Sequence, residues 1–334
     1  MVDHKVYTLL AVSECGSFVG AAQKLNITQP AVSQHIKTLE EELGVTVFER
    51  GHGKLLLTRQ GDEVLKCAKK MLGLYTALQN DIRDGSSLTT HLTIGVTHTA
   101  ESNPIAEALA SYCSKNPKVN IKMITDTISN LYMMLKTYEI DLAIVEGRSH
   151  DPDIRYLLMD TDYLVLAVSP DHPFAKKSMV TLNELKKEKM ILRLPNSGTR
   201  NLFMAHLESN NMSISDFNVI LEVDNIATIK DLIRRDFGVS ILARSVCLDE
   251  LKKGKIVTLP VENLSMMREI NIAYRSDFTQ FDLLHDLVKR LLVALRHNGN
   301  PGNLRIVGGR NGQAVDIETL QIKKRPEVTF RPLL

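Results

Sequence analysis

Phe18–Lys37, read as FVGAAQKLNITQPAVSQHIK, restricts the fold more than any other stretch of the chain. Ala21, Ala22 and Leu25 fall at i, i+1 and i+4, one apolar face of a short helix. Asn26 follows, a residue that tolerates the left-handed backbone of a sharp turn. Thr28 then offers a hydroxyl cap for a second helix. Pro30 sits in its first turn, where a missing N–H costs nothing. Val32, Ile36, Leu39 and Leu43 recur at spacings of 4, 3 and 4, which predicts a buried underside that ends at Gly44. Small alanines, a tight turn and an amphipathic second helix together predict a helix-turn-helix.

The other face of the second helix carries Gln29, Ser33 and Lys37 at i, i+4 and i+8, with Gln34 beside them. Glutamine can pair with adenine, serine with base edges or phosphate, and lysine with guanine or phosphate. A lone polar face would read as solvated surface; the tight-turn context makes it a candidate reader of double-stranded DNA. Val47–Thr58 then reads as two short strands around Gly51–Gly53, a wing with Arg50, His52 and Lys54 at its tip and flank. Residues 1–60 hold six Lys/Arg and six Asp/Glu. Positive charge must therefore be arranged locally, with Glu40–Glu42 turned away from DNA, and two copies are expected to act together.

The string Ala21-Ala22, Leu25, Thr28-Gln29-Pro30-Ala31-Val32-Ser33, Ile36, Leu39-Glu40, Leu43-Gly44, Phe48, Arg50, Thr58, Gly61 resembles the DNA-binding domain of LysR-type transcriptional regulators. Val47 stands where the family usually has leucine. By this resemblance, residues 1–58 form a winged helix-turn-helix and 59–87 a linker helix that dimerises. The periodicity agrees: Val64, Ala68, Met71, Tyr75, Leu78 and Ile82 recur as a heptad seam, with Lys66, Lys69, Lys70 and Asp81 outside it. One amphipathic helix packed on its own domain is the plainer alternative. The resemblance also implies tetramers and contact with RNA polymerase.

From 91 to 297, short β-branched strands alternate with amphipathic helices, a pattern that predicts mostly parallel α/β sheets. Three loops repeat one device, a strand running into hydroxyls or amides at a helix start: Thr97-His98-Thr99, Ser197-Gly198-Thr199 and Asp224-Asn225. Glu146 ends a further apolar strand. Helix starts favour small anions, and ligands in such sheets bind beyond the strand ends. Plain helix capping explains the same hydroxyls, and Glu146 could pair with a surface lysine. This half resembles the family's effector domain, itself similar to periplasmic binding proteins. The resemblance implies a domain over 88–297, with lobe one at 91–161 plus 268–297 and lobe two at 162–267. The expected effector-binding residues are Thr97, His98, Thr99, Glu146, Ser197, Gly198, Thr199 and Asn225, around a small anionic metabolite. The loops most resemble those of members controlling sulfur assimilation or carbon fixation.

Composition narrows the alternatives. The chain has 334 residues, 44% apolar and 24% charged, with a net charge of +2. That length fits two or three domains, and the charge gives no bulk argument for a polyanion. No run of about 18 apolar residues occurs, and the start lacks the texture of an export signal. Cys15, Cys67, Cys113 and Cys247 are scattered and form no C-x-x-C pair, so neither a zinc site nor a disulfide framework is expected. A cytoplasmic protein with no metal and no cofactor is the expectation. No nucleophile elbow, P-loop, H-E-x-x-H or dinucleotide glycine motif is present. An enzyme is therefore not expected; the alternative is a DNA-binding protein whose α/β half only oligomerises. Residues 298–334 are rich in Gly and Asn and carry +3, a tail outside the resemblance that is expected to be poorly ordered.

Overall fold

The computed structural model describes residues 2–51, 54–87, 89–101, 104–264, 266–297, 306–307 and 314–315. His52 of the expected wing tip and nearly all of the expected tail lie outside them.

Three helices open the chain: α1 (His4–Cys15), α2 (Phe18–Leu25) and α3 (Gln29–Leu43). Each begins on a side-chain cap, from Asp3, Ser17 and Thr28, and each ends on a left-handed residue, Gly16, Asn26 and Gly44. The wing follows as β1 (Phe48–Gly51) antiparallel to β2 (Lys54–Leu57), with Phe48 opposite Leu57. Val6, Leu9, Val12, Ala21, Ala22, Val32, Ile36 and Val47 form the core of this unit. Leu43, expected in that core, is 49% exposed. It is the last residue of α3, and the chain turns off at Gly44.

The long helix α4 (Arg59–Ser87) starts on Thr58, whose hydroxyl accepts from the Gly61 N–H at 2.8 Å and donates to the Thr46 carbonyl at 2.6 Å. Glycine is required at 61, because a Cβ there would meet the Val47 carbonyl oxygen at 2.1 Å. The heptad seam divides. Ala68 is buried and Val64 half-buried against the winged-helix core, together with Leu65, so neither is free to face a second helix. Met71, Leu78 and Ile82 are exposed, joined by Leu74, which the strict seam omitted.

Lobe one is built from β3 (Thr90–Val96), α5 (His98–Glu101), α6 (Pro104–Lys115), β4 (Val119–Thr125), α7 (Ile128–Lys136) and β5 (Leu142–Glu146). β3 lies parallel to both β4 and β5. Apolar clusters cover both faces of the sheet. The long β6 (Ile154–Val168) then leads into lobe two: α8 (Leu182–Leu185), β7 (Lys189–Leu192), α9 (Gly198–Ser209), β8 (Asn218–Glu222), α10 (Ile226–Arg234), β9 (Ser240–Ala243), α11 (Leu248–Lys252) and β10 (Val257–Leu259). β11 (Met267–Arg275) returns to lobe one and α12 (Phe281–His297) packs there. β12 (Ile306–Val307) and β13 (Ala314–Val315) pair antiparallel.

The sheets are less parallel than the βαβ pattern predicts. β11 runs antiparallel to β5 and β6, and β9 and β10 run antiparallel to β6. The reason is that β6 and β11 are shared by the two lobes. β6 pairs with β11 through Tyr163 and with β9 from Leu164 onward, so the chain changes lobe inside a strand. Leu164 N–H donates to the Met266 carbonyl at 3.0 Å, which holds the two crossings together.

Candidate DNA-reading face and ligand cleft

On α3, Val32 and Ile36 are buried, which turns Thr28, Gln29, Pro30, Gln34 and Lys37 outward, with Ser33 half-buried. Thr28 caps the helix through the Ala31 N–H at 3.4 Å. Gln29 Nε2 donates to Ser33 Oγ at 2.8 Å, and Gln34 Nε2 to Thr38 Oγ1 at 3.2 Å. These groups occupy one another along the exposed face, and a base edge can take their place without leaving a donor unmet. Gln29, Ser33 and Lys37 line a groove with Ser17, Phe18, Val19, Phe48 and Leu55. Ser17 and Val19 were not singled out from sequence; the signal was the serine cap of α2, which places that helix start at the groove.

The three glutamates do not all turn away together. Glu40 accepts from the Val47 and Phe48 N–H groups at 2.6 and 3.2 Å, anchoring the wing to α3. Glu42 pairs with Lys5. Glu41 stands 3.7 Å from Lys37 Nζ, and both side chains are exposed. Arg50 lies one residue before Gly51, which ends β1 and pairs with Lys54 at the start of β2.

In the α/β half, a cavity of about 150 Å³ lies between the lobes. Lobe one contributes Thr97, His98, Thr99, Glu146 and the start of α7 at Asp126, Thr127 and Ile128; lobe two contributes Arg193, Leu194, Asn196, Ser197, Gly198 and Asp224. Six of the eight expected effector residues therefore line one space. Thr199 and Asn225 do not. Thr199 is buried behind the cavity and accepts from Arg268 Nη1 at 3.4 Å. Asn225 caps α10 through the Thr228 N–H at 3.0 Å. Several hydroxyls that line the space are also caps: Thr97 accepts from the Ala100 N–H at 3.2 Å and Ser197 from the Arg200 N–H at 3.1 Å.

Acidic groups around the cavity are committed. Glu146 accepts from Thr97 Oγ1 at 2.9 Å and lies 3.8 Å from Arg268. Asp126 accepts from the Thr127 N–H and from Asn130 Nδ2, both at 2.7 Å. Asp224 accepts from Arg193 Nη2 at 3.0 Å, with His98 of the opposite lobe 4.0 Å away. The donors are different. Arg193 is 3% exposed, and among the described residues its Nε and Nη1 have no acceptor; Arg268 Nε likewise has none there. Burial lowers the Arg193 pKa, and the neighbouring Asp224 offsets this in part. Arginine nevertheless keeps its proton in proteins. Arg193 was not predicted from sequence. Its signal was a lone arginine directly after the apolar strand Met190–Leu192, at the strand end where ligands bind.

A winged helix on a long helical arm, followed by two α/β lobes around a polar cleft, defines the class of DNA-binding transcriptional regulators with a ligand-type domain. Residues 4–62 match the family described as bacterial regulatory helix-turn-helix protein, lysR family, and residues 85–296 match the LysR substrate binding domain. The chain belongs to the LysR-type transcriptional regulators. It is 31% identical over 277 residues to the HTH-type transcriptional regulator CfxR of Cupriavidus necator, covering 80% of this chain and 83% of the relative. It is 27% identical to a probable RuBisCO transcriptional regulator of Thalassiosira pseudonana over 80% of this chain and 89% of that one. The fold is that of CbnR complexed with its target DNA, at a TM-score of 0.61 and 18% identity, over 90% of this chain and all of that one. The named relatives are transcriptional regulators, not enzymes. Among the described residues, no helix is long and apolar enough to cross a membrane.

Proposed function

We propose that this regulator reads duplex DNA with α3 and the wing of paired protomers, and that its cleft holds a small anionic metabolite. The observation that carries the ligand class is Arg193. Arg193 lines the cavity and carries two buried donors with no acceptor among the described residues, a costly arrangement that an anion reached by a small shift of the side chain would relieve. The start of α9 adds backbone N–H groups and the positive end of a twelve-residue helix at the same wall. Gly198 of that helix start meets Ile128 of lobe one, whose Cδ1 would lie 3.2 Å from an added Cβ, so the space suits a compact ligand. Action in the cytoplasm, assembly beyond the dimer and contact with RNA polymerase follow from the family reading. The relatives named for RuBisCO regulation make carbon-assimilation operons the first place to seek its operator.

The test is a thermal-shift screen of the full chain against small carboxylates, phosphates and sulfate, repeated on Arg193→Met. An anion that binds the cleft should raise the unfolding temperature of the wild type and bind the variant at least tenfold more weakly, because a charged hydrogen bond contributes about 1.5–3 kcal/mol. The variant should itself unfold no earlier than the wild type, since it removes unmet buried donors. Equal stabilisation of both proteins would move the site elsewhere. No stabilisation by any anion would favour the reading in which the α/β half only oligomerises.

A further inference from the structure

Gly73 lies in the middle of α4, where glycine weakens a helix relative to alanine. A Cβ at that position would lie 1.9 Å from the Thr137 carbonyl oxygen and 2.9 Å from Tyr138 Cβ. The backbone of the linker helix therefore touches the turn that ends α7, and only glycine allows it. That turn is stiff. Tyr138 holds a φ of 60°, left-handed and unfavourable for a bulky residue. Arg275 donates from Nη1 to the Leu135 and Ile140 carbonyls at 3.1 and 2.8 Å. The buried Thr137 hydroxyl shares its one proton between Glu139 Oε1 at 2.7 Å and the Met133 carbonyl at 3.0 Å.

A second contact surrounds the first. The Tyr138 hydroxyl donates to Asp277. The Arg275 guanidinium lies 4.0 Å from the centroid of the Tyr138 ring, and Lys70 Nζ of α4 lies 5.8 Å from it. Lys70 and Gly73 are three residues apart, on one face of the helix. The linker thus presents a notch and a cation to a single rigid turn.

Both ends of this contact lead somewhere. Toward the N-terminus, α4 is fixed to the winged-helix core by Leu65, Ala68 and the Gly61–Val47 approach. On the other side, α7 is nine residues long, about 13 Å, and its opposite end carries Thr127 and Ile128 in the cleft wall. We propose that Gly73 and the Thr137–Tyr138 turn form a seat within one chain, through which α7 ties the state of the cleft to the angle of the winged-helix arm.

Hydrogen exchange on the full chain tests this without any ligand, so its failure and that of the anion reading remain distinct. Gly73→Ala strengthens the helix while colliding with the Thr137 carbonyl. The hydrogen-bonded amides of Thr137, Tyr138 and Glu139 should exchange about tenfold faster or more, while α4 amides keep their protection. The amides of Asn130 and Leu131, at the cleft end of α7, should quicken severalfold as well. Wild-type rates at all of these positions would show that α4 does not rest on the turn. Faster exchange at the turn with wild-type rates at Asn130 and Leu131 would refute α7 as the tie. Tyr138→Gly keeps the left-handed turn and removes the ring; α4 amides around Lys70–Leu74 should then lose protection, and unchanged rates there would refute the part assigned to the ring.

Discussion

Gln29 and Lys37 differ in what they should contribute, although both are exposed on α3. Gln29 can offer a bidentate edge to a base, so Gln29→Ala should weaken operator binding by roughly 1–3 kcal/mol and relax preference at one base pair. Lys37→Ala should instead weaken all sequences alike and lower the salt slope by about one unit, which titrations at several salt concentrations would reveal. Unchanged affinity in both would mean that α3 lies otherwise on DNA. His35 sits on the same helix but faces inward, with Nδ1 2.9 Å from Thr8 Oγ1 and its ring 4.4 Å from that of His4. Burial first, and His4 second, lower its pKa. The unfolded chain then binds the proton more readily. This stability contribution is full above about pH 6.5 and is lost as pH falls through the folded-state value. Melting curves of the winged-helix unit between pH 7.5 and 5 should show the loss, and His35→Gln should flatten it. The exposed readers were legible in the sequence because 4- and 3-residue spacing separates faces. Arg193 was not read, because a single arginine after a strand looks like any surface residue until the opposite lobe closes over it.

At the scale of elements, α4 serves two masters along its length. Its first turns complete the winged-helix core, and its later turns expose Met71, Leu74, Leu78 and Ile82. Met71→Glu with Leu78→Glu should therefore separate protomers while leaving the chain folded, which sedimentation and circular dichroism can check together. Ala68→Glu should do something else: it would place an unpaired charge in the core and unfold the winged-helix unit, a cost of several kcal/mol on the order of 3–5. If the first variant stays dimeric, the exposed stripe is not the interface. Periodicity alone joined these positions in one seam because a heptad repeat records which side of a helix is apolar, not which neighbour covers it. The same reasoning explains the sheets. Apolar strands between helices were visible, but their direction was not, because it depends on two strands that leave one lobe and enter the other.

For the whole molecule, the crossing of the lobes is held by Arg268, which lies 3.8 Å from Glu146 of lobe one, 3.3 Å from Asp162 on β6 and 3.4 Å from Thr199 of lobe two. Arg268→Met should leave two carboxylates buried without their cation and cost about 3–5 kcal/mol. Calorimetry should show the α/β half melting earlier while the winged helix melts as before; an unshifted transition would mean that the Ser245 hydroxyl, 2.7 Å from Asp162, and the Tyr163 N–H, at 2.9 Å, satisfy that carboxylate without Arg268. Because β6 and β11 bracket lobe two, that lobe is an insertion in the middle of lobe one. During synthesis, the winged helix, α4 and lobe two can all be complete while β5 still waits for its antiparallel partner β11 and α6 for its cover α12. β11 follows β5 by about 120 residues, so at translation speeds of roughly 5–20 residues per second β5 waits on the order of ten seconds for its partner. A nascent chain in that interval has a finished DNA-reading head and a half-built first lobe with its apolar sheet edge open. Mutations that slow β11 pairing should therefore appear first as demand for chaperones, before any change in the affinity of the finished protein for DNA.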